Sequence, residues 1–236
     1  NTLKILFEDF LPNKDFGSIG PVCSYRDLNN TLTSNFVAAK TCYGFDQTSK
    51  LIEFSGMRSE CGLIEKKFLK SIGGWNFFPS AGGEEFELGH RIMKHGKKNI
   101  ITKNTNYSTF YDNLYTRCKT IISRTSSYLP IFISRKKFET KGAFATLNQS
   151  LSTLITALLI LGIILSFFIK DYKILILMLF IINLIVEFNF LKFSMKYYKK
   201  IYLPINILGI YAINISIIIG VLIGIYKLNF FSKKTN

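Results

Sequence analysis

The sequence predicts an α/β domain joined to membrane-crossing helices, and three observations support this. Short β-type runs alternate with helix-period runs up to Thr146. Long apolar runs follow, two of them without any charge. Between the two lies a basic stretch interleaved with aromatic residues.

The elements of the polar half are expected in this order. Ser18–Tyr25 reads as a strand, and Thr31–Phe45 carries apolar residues at helical spacing. Leu51–Phe54 and Cys61–Ile64 read as short strands, and Glu65–Ile72 as a helix of about two turns. Gly83–His95 is a second helix, with Phe86, His90 and Met93 on one stripe, and Lys98–Thr102 is a further strand. Alternating strand and helix give the α/β class.

The chain divides near residue 146. Leu147–Ile169 and Leu203–Tyr226 are uncharged and long enough to cross a bilayer. Ile174–Phe190 carries Glu187. It is expected either as a tilted span extended to Phe193 or as half of a hairpin packed on its neighbours. The expected spans are thus about 147–169, 174–193 and 203–226. The net charge is +15, and next to apolar spans the expected partner of that charge is the membrane, not nucleic acid, for which no motif is present. Lysine and arginine at Arg135–Lys141, and at Lys192, Lys196, Lys199 and Lys200, place the polar half and the second loop in the cytoplasm. Lys227, Lys233 and Lys234 would then lie outside. The expected location is the cell membrane, multi-pass. No secretory leader pattern opens the chain, and a start at Asn1 is expected of a fragment or a processed product. Cys23, Cys42, Cys61 and Cys118 form no CxxC pair, so they are expected as reduced thiols, without a zinc site.

The chemistry-bearing residues lie between Ser55 and Gly96. Glu84 and Glu85 open a helix behind Gly82 and Gly83, where the helix's positive end and free amides keep a carboxylate ionised. Such a fixed carboxylate can take a proton from a sugar hydroxyl as that oxygen attacks. Acids in a first turn also stabilise helices that have no catalytic role. Glu87 and Arg91 are spaced as an i,i+4 pair, expected at the surface. Gly73-Gly74 permits a tight reversal before Trp75, a side chain suited either to stacking on a sugar ring or to a core. His90 is expected in the core, and His95 before Gly96 as a C-terminal cap. The stretch 107–141 is expected on the membrane face. There Arg117 and Arg124 can clamp a diphosphate or serve a basic solvated surface.

Together the segments CGLIEKKFLKSIGGWN and GEEFELGHRIMKHG resemble the C-terminal half of membrane-anchored family 2 glycosyltransferases of the GT-A type, over roughly residues 17–146. The resemblance implies a partial GT-A domain, its acceptor side, followed by a transmembrane bundle. It implies sugar transfer from a nucleotide sugar to a lipid-linked or saccharide acceptor, in polysaccharide or glycolipid assembly. Glu85 falls on the family's catalytic base and Glu84 on its partner. Cys61, Gly62, Gly73, Gly74 and Trp75 fall on the acceptor side, and Arg117 and Arg124 near the donor diphosphate. A divalent cation, Mg2+ or Mn2+, is expected through a donor-binding half upstream of Asn1, because no Asp-x-Asp occurs here. The base position holds Glu where the family usually has Asp, and Asn76 stands where an acid is usual. The contrasting expectation, from another class, is a non-catalytic membrane-anchored docking module.

Overall fold

The computed structural model describes residues 1–45, 49–77, 83–136, 138, 146–169, 172–198 and 202–232, without the side chains of 26 and 229–232. Gly82, Lys137, Lys141, Lys199, Lys200, Lys233 and Lys234, on which some of the expectations above rest, lie outside the described residues.

The polar half is a mixed α/β layer. Helix α1 (Thr2–Phe10) precedes strand β1 (Phe16–Asp27), then α2 (Leu32–Tyr43), β2 (Leu51–Glu53), β3 (Leu63–Ile64), α3 (Lys66–Ser71), α4 (Glu84–Lys94) and β4 (Lys98–Thr109). The strands order β2-β4-β1-β3. The long central pair β1–β4 is parallel, and the short edges β2 and β3 run antiparallel to it. The sheet is therefore mixed, as the α/β class allows.

Three differences from the expected elements have clear causes. Strand β4 runs on to Thr109 because β1 supplies partners there, pairing Cys23 with Tyr107 and Asp27 with Thr109. The stretch 107–141 thus begins inside the sheet. Strand β3 is shorter than Cys61–Ile64, since only Leu63 and Ile64 reach β1. Helix α1 was not expected; it is held by Leu6 buried against Ile19 and Ile100, and by Asp9, which accepts from Thr102 Oγ1 at 2.7 Å and Asn104 Nδ2 at 3.0 Å.

Helix α2 starts on a capping box, with Thr31 and Ser34 satisfying each other's amides. Helix α5 (Leu114–Arg135) starts on an Asn113 cap that accepts from Thr116 N at 2.9 Å. Then come α6 (Leu147–Ser166), α7 (Tyr172–Val186), α8 (Phe188–Tyr197) and α9 (Leu203–Ser232). Helices α6 and α9 are long and apolar enough to cross a membrane. The middle segment is a pair of helices bent by 56° at Glu187, and it makes a third candidate only if the pair counts as one span.

Two features fasten the apolar half to the polar half. The largest core mixes both, joining Phe36, Val37 and Cys42 to Phe190, Phe193, Ile210 and Ile213. The change near 146 is therefore one of composition, and the hydrophobic core runs across it. Helix α5 packs lengthwise on α9, where Gly220 and Gly224 face Thr125 and Leu129; a Cβ on Gly220 would come within 2.7 Å of Thr125 Cβ. Away from these contacts, α6 and α7 expose Leu151, Leu154, Leu158, Ile174, Leu177 and Ile181. An apolar surface of this kind suits lipid.

Between the long apolar helices, polar side chains bond to one another, although Asn183 Oδ1 and Gln149 Oε1 stay without a partner. Asn214 Nδ2 donates to Ser152 Oγ at 2.9 Å and Thr156 Oγ1 at 2.8 Å, and Asn183 Nδ2 donates to the Ser152 carbonyl at 2.9 Å. In a low-dielectric bundle such bonds fix which faces meet.

Candidate functional site

Glu85 is placed by the start of α4. That helix lies directly on the chain at Ser55–Met57. A Cβ on Gly89 would come within 2.4 Å of the Ser55 carbonyl oxygen, and Met57 N donates to the Glu85 carbonyl at 3.0 Å. Asn99, on β4, donates from Nδ2 to the Gly89 carbonyl at 2.9 Å and accepts from Ser18 Oγ at 2.7 Å. The helix start is thus locked to the sheet from two sides.

The two acids behave differently. Glu84 Oε2 accepts from Gly83 N at 2.9 Å, a contact at the head of the helix. Glu85 accepts from the Ser59 hydroxyl and lines a cavity of about 470 Å³. Burial raises the Glu85 carboxyl above the ordinary glutamate range; Glu60 adds to this, while Ser59, Arg124 and Arg58 oppose it.

The cavity lies between α4, α5, α6 and α9. Its charged groups are Glu85, Arg117 and Arg124, and its apolar wall includes Leu154, Ala157, Val221 and Leu222. Arg117 lies close enough to Arg124 for that neighbour to disfavour its charge. Burial, with Arg124 beside it, pulls the Arg117 guanidinium down to about 10. Within the cavity Arg124 Nε and Gln149 Oε1 are buried without a hydrogen-bond partner.

The other expected site residues stand elsewhere. Gly73 and Gly74 take φ of 92° and 71°, the left-handed turn that favours glycine. Arg91 holds this turn, donating to the Ile72 carbonyl at 2.6 Å and the Gly74 carbonyl at 2.7 Å while forking onto Glu87. The Glu87–Arg91 pair was expected as a surface ion pair. It is instead about four-fifths buried and ties α4 to the glycine turn. Trp75 is 44% exposed and does not line the cavity. Cys61 packs beside Leu6 and Ile19, and Gly62 lies against the Arg58 backbone, so neither reaches the cavity. His90 contacts Arg135 and Phe86; His95 closes α4, its Nδ1 2.9 Å from the Arg91 carbonyl.

Arg58 was not singled out by the sequence. It donates to Tyr107 Oη at 2.8 Å, stands 3.8 Å from Glu60 and covers the Phe45 ring. Burial works against its charge, but Glu60 and the other groups around it, Glu85 among them, outweigh that and hold its pKa above the ordinary range. Its position in the loop between β2 and β3 gives no periodic signal. The only available hint was its place inside the Ser55–Gly96 region.

Nearby, Cys23 and Cys42 are buried free thiols with Sγ atoms 3.3 Å apart. The hydrogen bond from Cys42 brings the Cys23 thiol down to about 6 against the effect of burial, with Arg58 assisting, and Cys42 is pushed up in turn. Among the described residues no three His, Cys, Asp or Glu side chains converge on a metal site. The groups around Glu85 include the cations Arg58 and Arg124, a poor setting for a divalent cation.

Comparison with protein-family models, with curated proteins and with solved structures finds no match for this chain.

Proposed function

We propose that this chain is the acceptor side and membrane anchor of an inverting glycosyltransferase of the GT-A type, working at the cytoplasmic membrane face. The observation that carries the reading is the position of Glu85. It is the one carboxylate among the residues that line the cavity, held by Ser59 and a locked helix start, beside two arginines, neutral polar groups such as Gln149 and Thr153, and apolar wall.

The chemistry follows from that setting. The acceptor hydroxyl enters beside Glu85. Its oxygen bonds to the sugar's anomeric carbon as the bond to the nucleoside diphosphate breaks, and the hydroxyl proton passes to the carboxylate. A carboxyl made more basic by burial accepts that proton more readily. Arg117 and Arg124 supply positive charge toward the phosphate groups of the reactants, including the diphosphate on which charge develops. Glu84 keeps the helix head in place, a supporting part rather than a proton acceptor.

Sugar donors of this class bring a divalent cation, Mg2+ or Mn2+, on their phosphates. The described residues do not fit that ion, and in this reading donor and metal are held by sequence outside Asn1–Asn236. The acceptor is lipid-linked or a saccharide, and the products serve polysaccharide or glycolipid assembly. The test is transfer of labelled sugar from a panel of nucleotide sugars by membranes that carry the complete gene product, with Glu85→Gln as the control.

A further inference from the structure

We propose that the cavity between α5, α6 and α9 is a binding site for a membrane lipid with an anionic, phosphate-bearing headgroup. Arg117 and Arg124 would hold the phosphate, and the first part of the tail would lie along α6 and α9. The proposal rests on the glycosyl-transfer reading for the fate of the lipid, but not for its binding.

Three observations carry it. First, the cavity is chemically divided. Arg124 acts on both Glu85 and Arg117, so the charged groups gather together, while Leu154, Ala157, Val221 and Leu222 line apolar wall. A soluble saccharide would leave that wall wet and unused, whereas a headgroup with a hydrocarbon tail matches both parts.

Second, the cavity runs out to the apolar exterior. Leu154 and Leu222 line it, yet are 57% and 62% exposed. Both sit on helices long and apolar enough to cross a membrane. A lipid can therefore enter sideways from the bilayer. The volume of about 470 Å³ suits a headgroup and the start of a chain, with the remainder of the tail left in the membrane.

Third, polar capacity is left over inside. Arg124 Nε and Gln149 Oε1 are buried without hydrogen-bond partners, and such groups are costly unless something completes them. A phosphate oxygen accepts from a guanidinium N–H, and a headgroup hydroxyl donates to a carboxamide oxygen. The crowding of Arg117 by Arg124 points the same way, because an anion between two guanidiniums relieves their repulsion.

The experiment is photolabelling of the complete protein in phosphatidylcholine nanodiscs, whose zwitterionic headgroup neutralises itself. The probe is an alkyl phosphate with a diazirine in its chain, compared with the matching alkyl alcohol and with excess inorganic phosphate as competitor. We expect the alkyl phosphate to label peptides of α6 or α9. Arg124→Gln should reduce labelling by about tenfold or more, as removing one partner of a desolvated charged contact does. Ala157→Phe, which fills the tail region and leaves the arginines alone, should reduce it similarly. Equal labelling by the alcohol, or no change in both variants while they remain folded by thermal melting, overturns the proposal. Displacement by inorganic phosphate overturns it as well, since the occupant is then a free phosphate. Labelling is read with no nucleotide sugar present, so it reports the lipid site whatever becomes of sugar transfer, and the two readings fail separately.

Discussion

Lys40 Nζ donates to Glu187 Oε2 at 2.8 Å, and both side chains are more than nine-tenths buried. The pair joins α2 of the polar half to the break between α7 and α8. Removing one partner leaves the other charge buried alone, which typically costs about 3–5 kcal/mol. Lys40→Met should therefore lower the melting temperature sharply in detergent. Lys40→Met with Glu187→Leu should recover most of the loss, because a buried apolar pair of similar volume is often no less stable. Equal melting of the single variant and wild type would show that the pair is solvated.

Glu85 should destabilise the fold it serves. Burial raises its carboxyl pKa in the folded state, so the fold binds that proton more tightly than the unfolded chain does. The associated stability is present below the unfolded pKa and is lost as pH rises through the folded one. Glu85→Gln should thus melt higher than wild type at neutral pH, with the gap closing in acid. A variant less stable than wild type at neutral pH would mean that Ser59, Arg124 and Arg58 outweigh burial.

Gly89→Ala should disturb the site without touching it. Its methyl would sit within 2.4 Å of the Ser55 carbonyl oxygen, so α4 must shift. Overpacking of this kind costs about 1–3 kcal/mol. Thermal melting should show that loss, and transfer activity should fall further than melting alone explains, because Glu85 moves with the helix.

The protein should stay with the membrane pellet in high-pH carbonate and need detergent for extraction. The two apolar helices that are long enough to span carry this expectation. Release into the supernatant would mean that they lie on the surface.

Sequence and structure agree where the signal is local. The Thr31 capping residue marks the start of α2, the paired acids mark the start of α4, and His95 with Gly96 marks its end. These rest on neighbouring residues and on hydrophobic period. Long-range partners were not legible in the same way. Lys40 and Glu187 are 147 positions apart, and nothing local tells either to expect the other. Arg58 lies in a loop, where period carries no information, and its role comes from Tyr107, brought close by the extension of β4. The cavity was equally hidden, because it exists only where α5, α6 and α9 meet α4. The family resemblance gathered Trp75, the two glycines, Cys61 and Gly62 with Glu85, and packing keeps them out of the cavity lining.

The most direct test of the central claim is sugar transfer by the complete gene product in membranes, wild type against Glu85→Gln, over a panel of labelled nucleotide sugars. The account predicts transfer by wild type from at least one donor, and a loss of about two to four orders of magnitude in the variant, the usual worth of a general base. Transfer by a folded Glu85→Gln protein within about threefold of wild type would contradict it, since a general base typically contributes about two orders of magnitude or more. Absence of transfer by folded wild type from every donor would contradict it equally.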